Sequence, residues 1–162
     1  MKRESFPAPQ RTAGRKPPRP FKTRMSHVAI DRTYKSVWWS IVVAPNWSVD
    51  RDEHCVSFTK PDGVGALQIS AYKHESDEVP EDLGELLAGH FPEGLALEPV
   101  TCGGFSGIGV DYVAEDRYWM KRWVHKKGLL LYVTYNCNAT ERALETAETA
   151  QMLDSLQPSD AL

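Results

Sequence analysis

The stretch Ile108–Asn136, IGVDYVAEDRYWMKRWVHKKGLLLYVTYN, decides how this chain folds. Apolar and aromatic residues alternate with polar ones at period two, and short polar runs interrupt the pattern twice. It predicts a three-stranded meander, Ile108–Ala114, Arg117–His125 and Leu129–Asn136, joined at Glu115-Asp116 and at Lys126-Lys127-Gly128. A two-residue turn at Glu115-Asp116 sets Ala114 against Arg117, Tyr112 against Trp119 and Val110 against Lys121. A second turn at Lys126-Lys127 sets Trp123 opposite Leu130 and Lys121 opposite Tyr132. One face of the meander then carries Ile108, Val110, Tyr112, Trp119, Lys121, Trp123, Leu130 and Tyr132. The other carries Asp111, Val113, Tyr118, Met120, Arg122, Val124, Leu129, Leu131 and Val133. A three-residue second loop would slip the last strand by one and exchange its faces.

Outward from the meander the same patterning continues. Toward the N-terminus, Val37–Val43 (VWWSIVV), Cys55–Thr59 and Ala66–Tyr72 read as strands, separated by Ala44-Pro45-Asn46, an acidic turn over 50–53 and Pro61-Asp62-Gly63. Pro80, Glu81 and Asp82 suit a helix start, and Leu83, Leu86, Leu87 and Phe91 recur at helical spacing before Pro92. Toward the C-terminus, Asn138 with Glu141 forms a capping pattern. A helix follows with Leu144, Ala147, Ala150, Leu153 and Leu156 on one stripe, ended by Pro158. Strands outnumber helices and adjacent strands are joined by hairpins, so the fold class is α+β on an antiparallel sheet.

Charge divides the chain. Residues 1–25 hold eight of the 19 Lys and Arg and one of the 22 Asp and Glu, a net of +7, which leaves −10 on residues 26–162. With five prolines and little to bury, 1–25 is expected to be a disordered basic leader, 26–158 a single domain and 159–162 a loose tail. The leader could bind a polyanion, present Lys16–Pro20 as a polyproline II segment, or lie upstream of a start at Met25. No apolar run reaches membrane-spanning length and the N-terminus has no apolar signal core, so a soluble cytoplasmic protein is expected. Cys55, Cys102 and Cys137 are odd in number and widely spaced, which fits buried thiols rather than a disulfide framework.

Five segments carry a family resemblance: VWWSIVVAPNW (37–47), CVSFTKPDGVGALQISAY (55–72), YWMKRWV (118–124), LLLYVTYNC (129–137) and the closing MLDSL (152–156). Their order and texture, over roughly Tyr34 to Gln157, resemble the PsbP-like fold, and the bacterial members in particular. That fold includes the extrinsic PsbP subunit of photosystem II and a Ran-binding nuclear-import factor. The resemblance implies an α/β/α sandwich, with the antiparallel sheet flanked by helices on both sides. It implies binding and scaffolding more than catalysis, and a fold alone does not fix a function.

No catalytic signature stands out. Residues 101–109 are Gly-rich, but no Gly-Lys-Ser/Thr follows and a strand comes next, so a turn or bulged strand is expected rather than a phosphate loop. The five histidines show no metal-ligand spacing, and no metal or cofactor is expected. His54 with Cys55, or His125 with Cys137, could be written as base and thiol, but nothing local activates either thiol. The meander supplies the candidate binding residues. Asp111 and Arg122 lie diagonally on one face amid apolar neighbours, either as a structural ion pair or, with Tyr118, as the heart of a pocket in an anion- or small-molecule-binding protein or an enzyme. On the other face Trp119, Lys121 and Trp123, with Tyr132, either pack under a helix or form an aromatic platform. The leading expectation is a non-catalytic accessory protein that binds another protein, with nucleic acid unfavoured by the acidic body.

Overall fold

The computed structural model describes residues 32–76, 87 and 89–162. The leader expected at 1–25 lies outside the described residues, as does most of the helix expected over 80–91. Ten strands occur among the described residues: β1 (Thr33–Lys35), β2 (Trp39–Val42), β3 (Ser48–Arg51), β4 (Val56–Thr59), β5 (Gly65–Lys73), β6 (Glu98–Cys102), β7 (Phe105–Ala114), β8 (Arg117–Lys126), β9 (Leu129–Asn138) and β10 (Gln157–Pro158). A 3-10 helix, Ala139–Leu144, and an α-helix, α1 (Thr146–Asp154), lie between β9 and β10. Seven strands form one antiparallel sheet in the order β3-β4-β5-β9-β8-β7-β6, and β1, β2 and β10 form a second. The chain is therefore α+β and dominated by its sheets.

The first hairpin of the meander has the expected register, with Ala114 against Arg117, Tyr112 against Trp119 and Val110 against Lys121. The second differs. Its turn is Lys127-Gly128, so Trp123 pairs with Tyr132 rather than Leu130, and Lys121 with Thr134 rather than Tyr132. The cause is local: both central residues take positive φ, 46° and 70°, as a type I′ turn requires, and Gly128 supplies the second at no steric cost. Moving a two-residue turn by one residue changes each partner by two, so both faces keep their expected members.

The face bearing Met120, Val124, Leu131 and Val133 packs with Phe58, Leu67 and Ile69 against Trp39 and Ile41 of β2 and Met152 and Leu153 of α1. The opposite face buries Trp123 in a smaller cluster with Leu87, Phe91, Leu95 and Leu97. The closing helix corrects an expectation. Asn138 does cap it, through Thr140 N at 3.1 Å, but the first six residues are 3-10 and Glu145, at φ −124°, interrupts the helix. That break shifts the helical phase. Leu144, Ala147 and Ala150 therefore stay exposed, Leu153 and Leu156 are buried as expected, and Glu145, Thr149 and Met152 turn inward beside them. Where a loose tail is expected at 159–162, Ser159 N bonds to Trp38 O at 2.9 Å and its hydroxyl to Val37 O at 2.7 Å.

Candidate functional site

Strand β7 is unusual in having Gly at 107 and 109, and Gly109 sits directly across from Arg122 of β8. A Cβ at Gly109 would come within 2.5 Å of Arg122 Cδ and about 3 Å of Nη1 and Nε. The missing side chain is what lets the guanidinium lie flat across β7. There Nη1 meets Asp111 Oδ1 at 2.5 Å and donates to Lys121 O at 2.9 Å and Val110 O at 3.2 Å. Asp111 Oδ2 accepts from the Tyr118 hydroxyl at 2.9 Å. Arg142, from the 3-10 helix, caps the Tyr118 ring at 5.3 Å. The ion pair expected from the sequence is thus formed, and it is asymmetric: the Arg122 side chain is 17% exposed and that of Asp111 46%. All of the guanidinium's contacts run through Nη1. Among the described residues Nε and Nη2 have no partner, and since no fully buried side-chain nitrogen there is unpaired, neither is fully buried.

This constellation lines a cavity of about 210 Å³ between the sheet and α1. Asp111, Tyr118 and Arg122 come from the sheet, Met120 and Cys102 form an apolar floor, and Thr149, Leu153 and Asp154 descend from α1. Burial, reinforced by the Asp111 charge, pushes the Tyr118 phenol up to about 12, so it stays a hydrogen-bond donor. Burial also pushes the Cys102 thiol up to about 11, which leaves it protonated and a poor nucleophile.

On the other face Trp123, 1% exposed, stacks on Tyr132 at 5.3 Å and packs on Phe91, while Tyr132 stays partly exposed. Tyr112 and Trp119, also stacked, remain half-exposed, with Lys121 Nζ about 5.5 Å from both ring centres and bonded to His90 O. The sheet therefore separates Asp111 and Arg122 from the Trp119, Lys121, Trp123 and Tyr132 group. His125 and Cys137 also fall on opposite faces, so they cannot act together. Among the described residues no cluster of three potential metal ligands occurs.

Pattern reading missed the anchors of α1. Glu145, 2% exposed, accepts from Tyr135 Oη at 2.9 Å and from Val64 N at 3.1 Å. Glu148 accepts from Trp47 Nε1 and Lys60 Nζ, each at 2.9 Å, which holds its carboxyl below the ordinary range. The available signal was two acids at i, i+3 on a helix whose apolar stripe was weak.

No family model and no curated protein matches this chain. Solved structures do. A Bacteroides thetaiotaomicron protein superposes with a TM-score of 0.59 at 17% identity over 80% of this chain, which spans only 48% of that protein. Cyanobacterial PsbP (CyanoP) from Synechocystis superposes with a TM-score of 0.58 at 13% identity, over 82% of this chain and 96% of that one. LpqN of Mycobacterium tuberculosis, involved in cell envelope biogenesis, gives a TM-score of 0.47 at 14% identity over 75% of this chain and 83% of that one. The superposition on CyanoP, over 82% of this chain and 96% of that one, shows that the chain has the PsbP-like fold.

Proposed function

We propose that this chain is a non-catalytic binding domain that takes a small polar molecule in the cleft beneath α1. One observation carries this: Arg122 lines the cavity and bonds the protein through Nη1 alone, leaving Nε and Nη2 without a partner among the described residues. A guanidinium edge offers two parallel donors, the geometry that matches a carboxylate or phosphate. Asp111 and the flat bed of Gly109 hold that edge in place, so its orientation is set before any ligand arrives. A volume of about 210 Å³ limits the occupant to small metabolites. Binding is favoured over chemistry because the cavity's only thiol, Cys102, is held protonated. The test is native mass spectrometry of the full chain incubated with a low-molecular-weight cell extract, beside Arg122→Gln. A small species held by the wild type and lost in the variant supports the proposal, whereas identical spectra refute it.

A protein partner is also supported, by the half-exposed row of Tyr112, Trp119 and Lys121, since aromatic residues are enriched at interface cores. Affinity capture from native lysate with wild type and Trp119→Ala decides it: a partner retained by the variant sinks that idea. The finer architecture, a sheet flanked by helices on both faces, draws support from Leu87, which is helical and buried, and from Phe91 on Trp123. Hydrogen-exchange protection over 80–91 would follow from it.

A further inference from the structure

We infer that the ligand of this cleft is a small aliphatic zwitterion carrying one carboxylate and one ammonium group, an inference that rests on reading the cleft as a ligand site. Two charged groups on the cavity keep hydrogen-bonding capacity that the protein does not use. The open Nε–Nη2 edge of Arg122 is the positive one. The negative one is Asp154, the last residue of α1, which lines the same cavity and makes no hydrogen bond or ion pair among the described residues. Its position sharpens the demand for a cation. A helix C-terminus carries partial negative charge, and the last turn of α1 has no basic residue to offset it. The Cys102 thiol feels both charges, Arg122 lowering its pKa and Asp154 raising it, so both groups lie within electrostatic reach of one sulfur on the cavity floor.

Simpler ligands fit less well. A dianion on the Arg122 edge would meet Asp111 and Asp154 in the same cavity, and Glu98 in the adjoining hollow that Asp111 and Arg122 also line. A bare amine on Asp154 would leave the guanidinium edge without an acceptor. One molecule with both groups meets the guanidinium edge and the free carboxylate together, and its ammonium offsets the repulsion that its carboxylate meets. Met120, Ala150 and Leu153 offer an apolar wall for the carbon skeleton between them. A volume of about 210 Å³ is the space of about seven waters, which admits a short skeleton only.

Calorimetric titration of the full chain with four probes tests this: L-valine and 4-aminobutyrate as zwitterions, butyrate and butylamine as the two halves. At least one zwitterion is expected to bind about tenfold or more tighter than either half, the worth of one added charge-assisted contact. Asp154→Asn should weaken that zwitterion by about tenfold, to the level of butyrate, and leave butyrate unchanged. Arg122→Gln should abolish both. Should that variant unfold by circular dichroism, Asp154→Asn decides, because Asp154 is exposed and has no partner to lose. Butyrate binding as tightly as the zwitterions, or indifference to Asp154→Asn, overturns the inference and leaves an anion cleft. Binding of none of the four probes also overturns it. If a cell-extract species still binds in an Arg122-dependent way, the broader proposal stands; if none does, both fall.

Discussion

Replacing Gly109 by Ala separates two explanations for the glycines of β7. If they only loosen the strand, Ala should stabilise it by about 0.5–1 kcal/mol, the usual advantage over Gly inside a strand. The geometry says otherwise. The added Cβ would lie 2.5 Å from Arg122 Cδ, so the side chain must lift and Nη1 must leave Asp111, Val110 O and Lys121 O. Hydrogen bonds from a charged donor contribute about 1.5–3 kcal/mol where buried, and the half-exposed Asp111 reduces that figure. Set against the gain in the strand, a net loss of about 1 kcal/mol is expected. Urea unfolding of four proteins measures it: wild type, Gly109→Ala, Arg122→Ala and the double variant. In the Arg122→Ala background nothing is left to clash, so Gly109→Ala should cost about zero or stabilise slightly. Gly107→Ala is the control for a rigid obstacle, because its Cβ would sit 1.9 Å from the Trp123 carbonyl, and it should fail to fold. Strict additivity of Gly109→Ala and Arg122→Ala would refute the idea that Gly109 exists to bed the guanidinium.

Three further outcomes are expected. Glu115 and Asp116 both hold positive φ, 50° and 61°, without a glycine, so Glu115→Asn with Asp116→Gly should add about 1 kcal/mol, or about 3–5 °C in Tm. An unchanged Tm would mean the native side chains contribute contacts of their own. Glu145→Ala strands the Tyr135 hydroxyl and the Val64 N–H and should cost about 3–5 kcal/mol in urea unfolding. Because Tyr135→Phe removes one of the same bonds, the two should combine less than additively; full additivity would rule out the shared bond. Tyr118 titrates at about 12 in the native state against about 10 when unfolded, so between those pH values the native state holds more protons and stability falls as pH rises. Unfolding midpoints at pH 9 and 11 should converge for wild type and Tyr118→Phe as this component is lost, and a parallel decline in the two would disprove it.

How much of this was legible in the residues depends on the distance over which each feature is decided. The faces of β7, β8 and β9 follow from alternation, and alternation survives a turn that moves by one residue, so they were readable although the second register was not. The Asp111–Arg122 pair was readable because two opposite charges on an apolar face need each other. β10 was not, since two residues containing a proline form no period and exist as a strand only by pairing with β2. Nor was Asp154 as a cleft residue, because its place depends on where a distant helix lies across the sheet.

That helix shows why a site can be less legible than the fold that carries it. Local signals at Asn138 and Glu141 start a helix at residue 139, and a continuous helix from there would turn Leu144, Ala147 and Ala150 inward. Glu145 overrides them. Its carboxylate is drawn into the core by Val64 N–H and the Tyr135 hydroxyl, from residues 81 and 10 positions away, and its backbone leaves helical geometry. α1 restarts from that residue with a new phase, which turns Thr149 and Met152 inward beside Leu153 and sets Asp154 on the cavity that Arg122 also lines. The sheet fixes one charge of the cleft by pairing neighbours; the other is fixed by a buried acid that resets a helix. A relative could keep every strand and the fold while changing Glu145, and its cleft would present different residues. Likeness at 13% identity can therefore carry the architecture across to CyanoP without carrying the cleft.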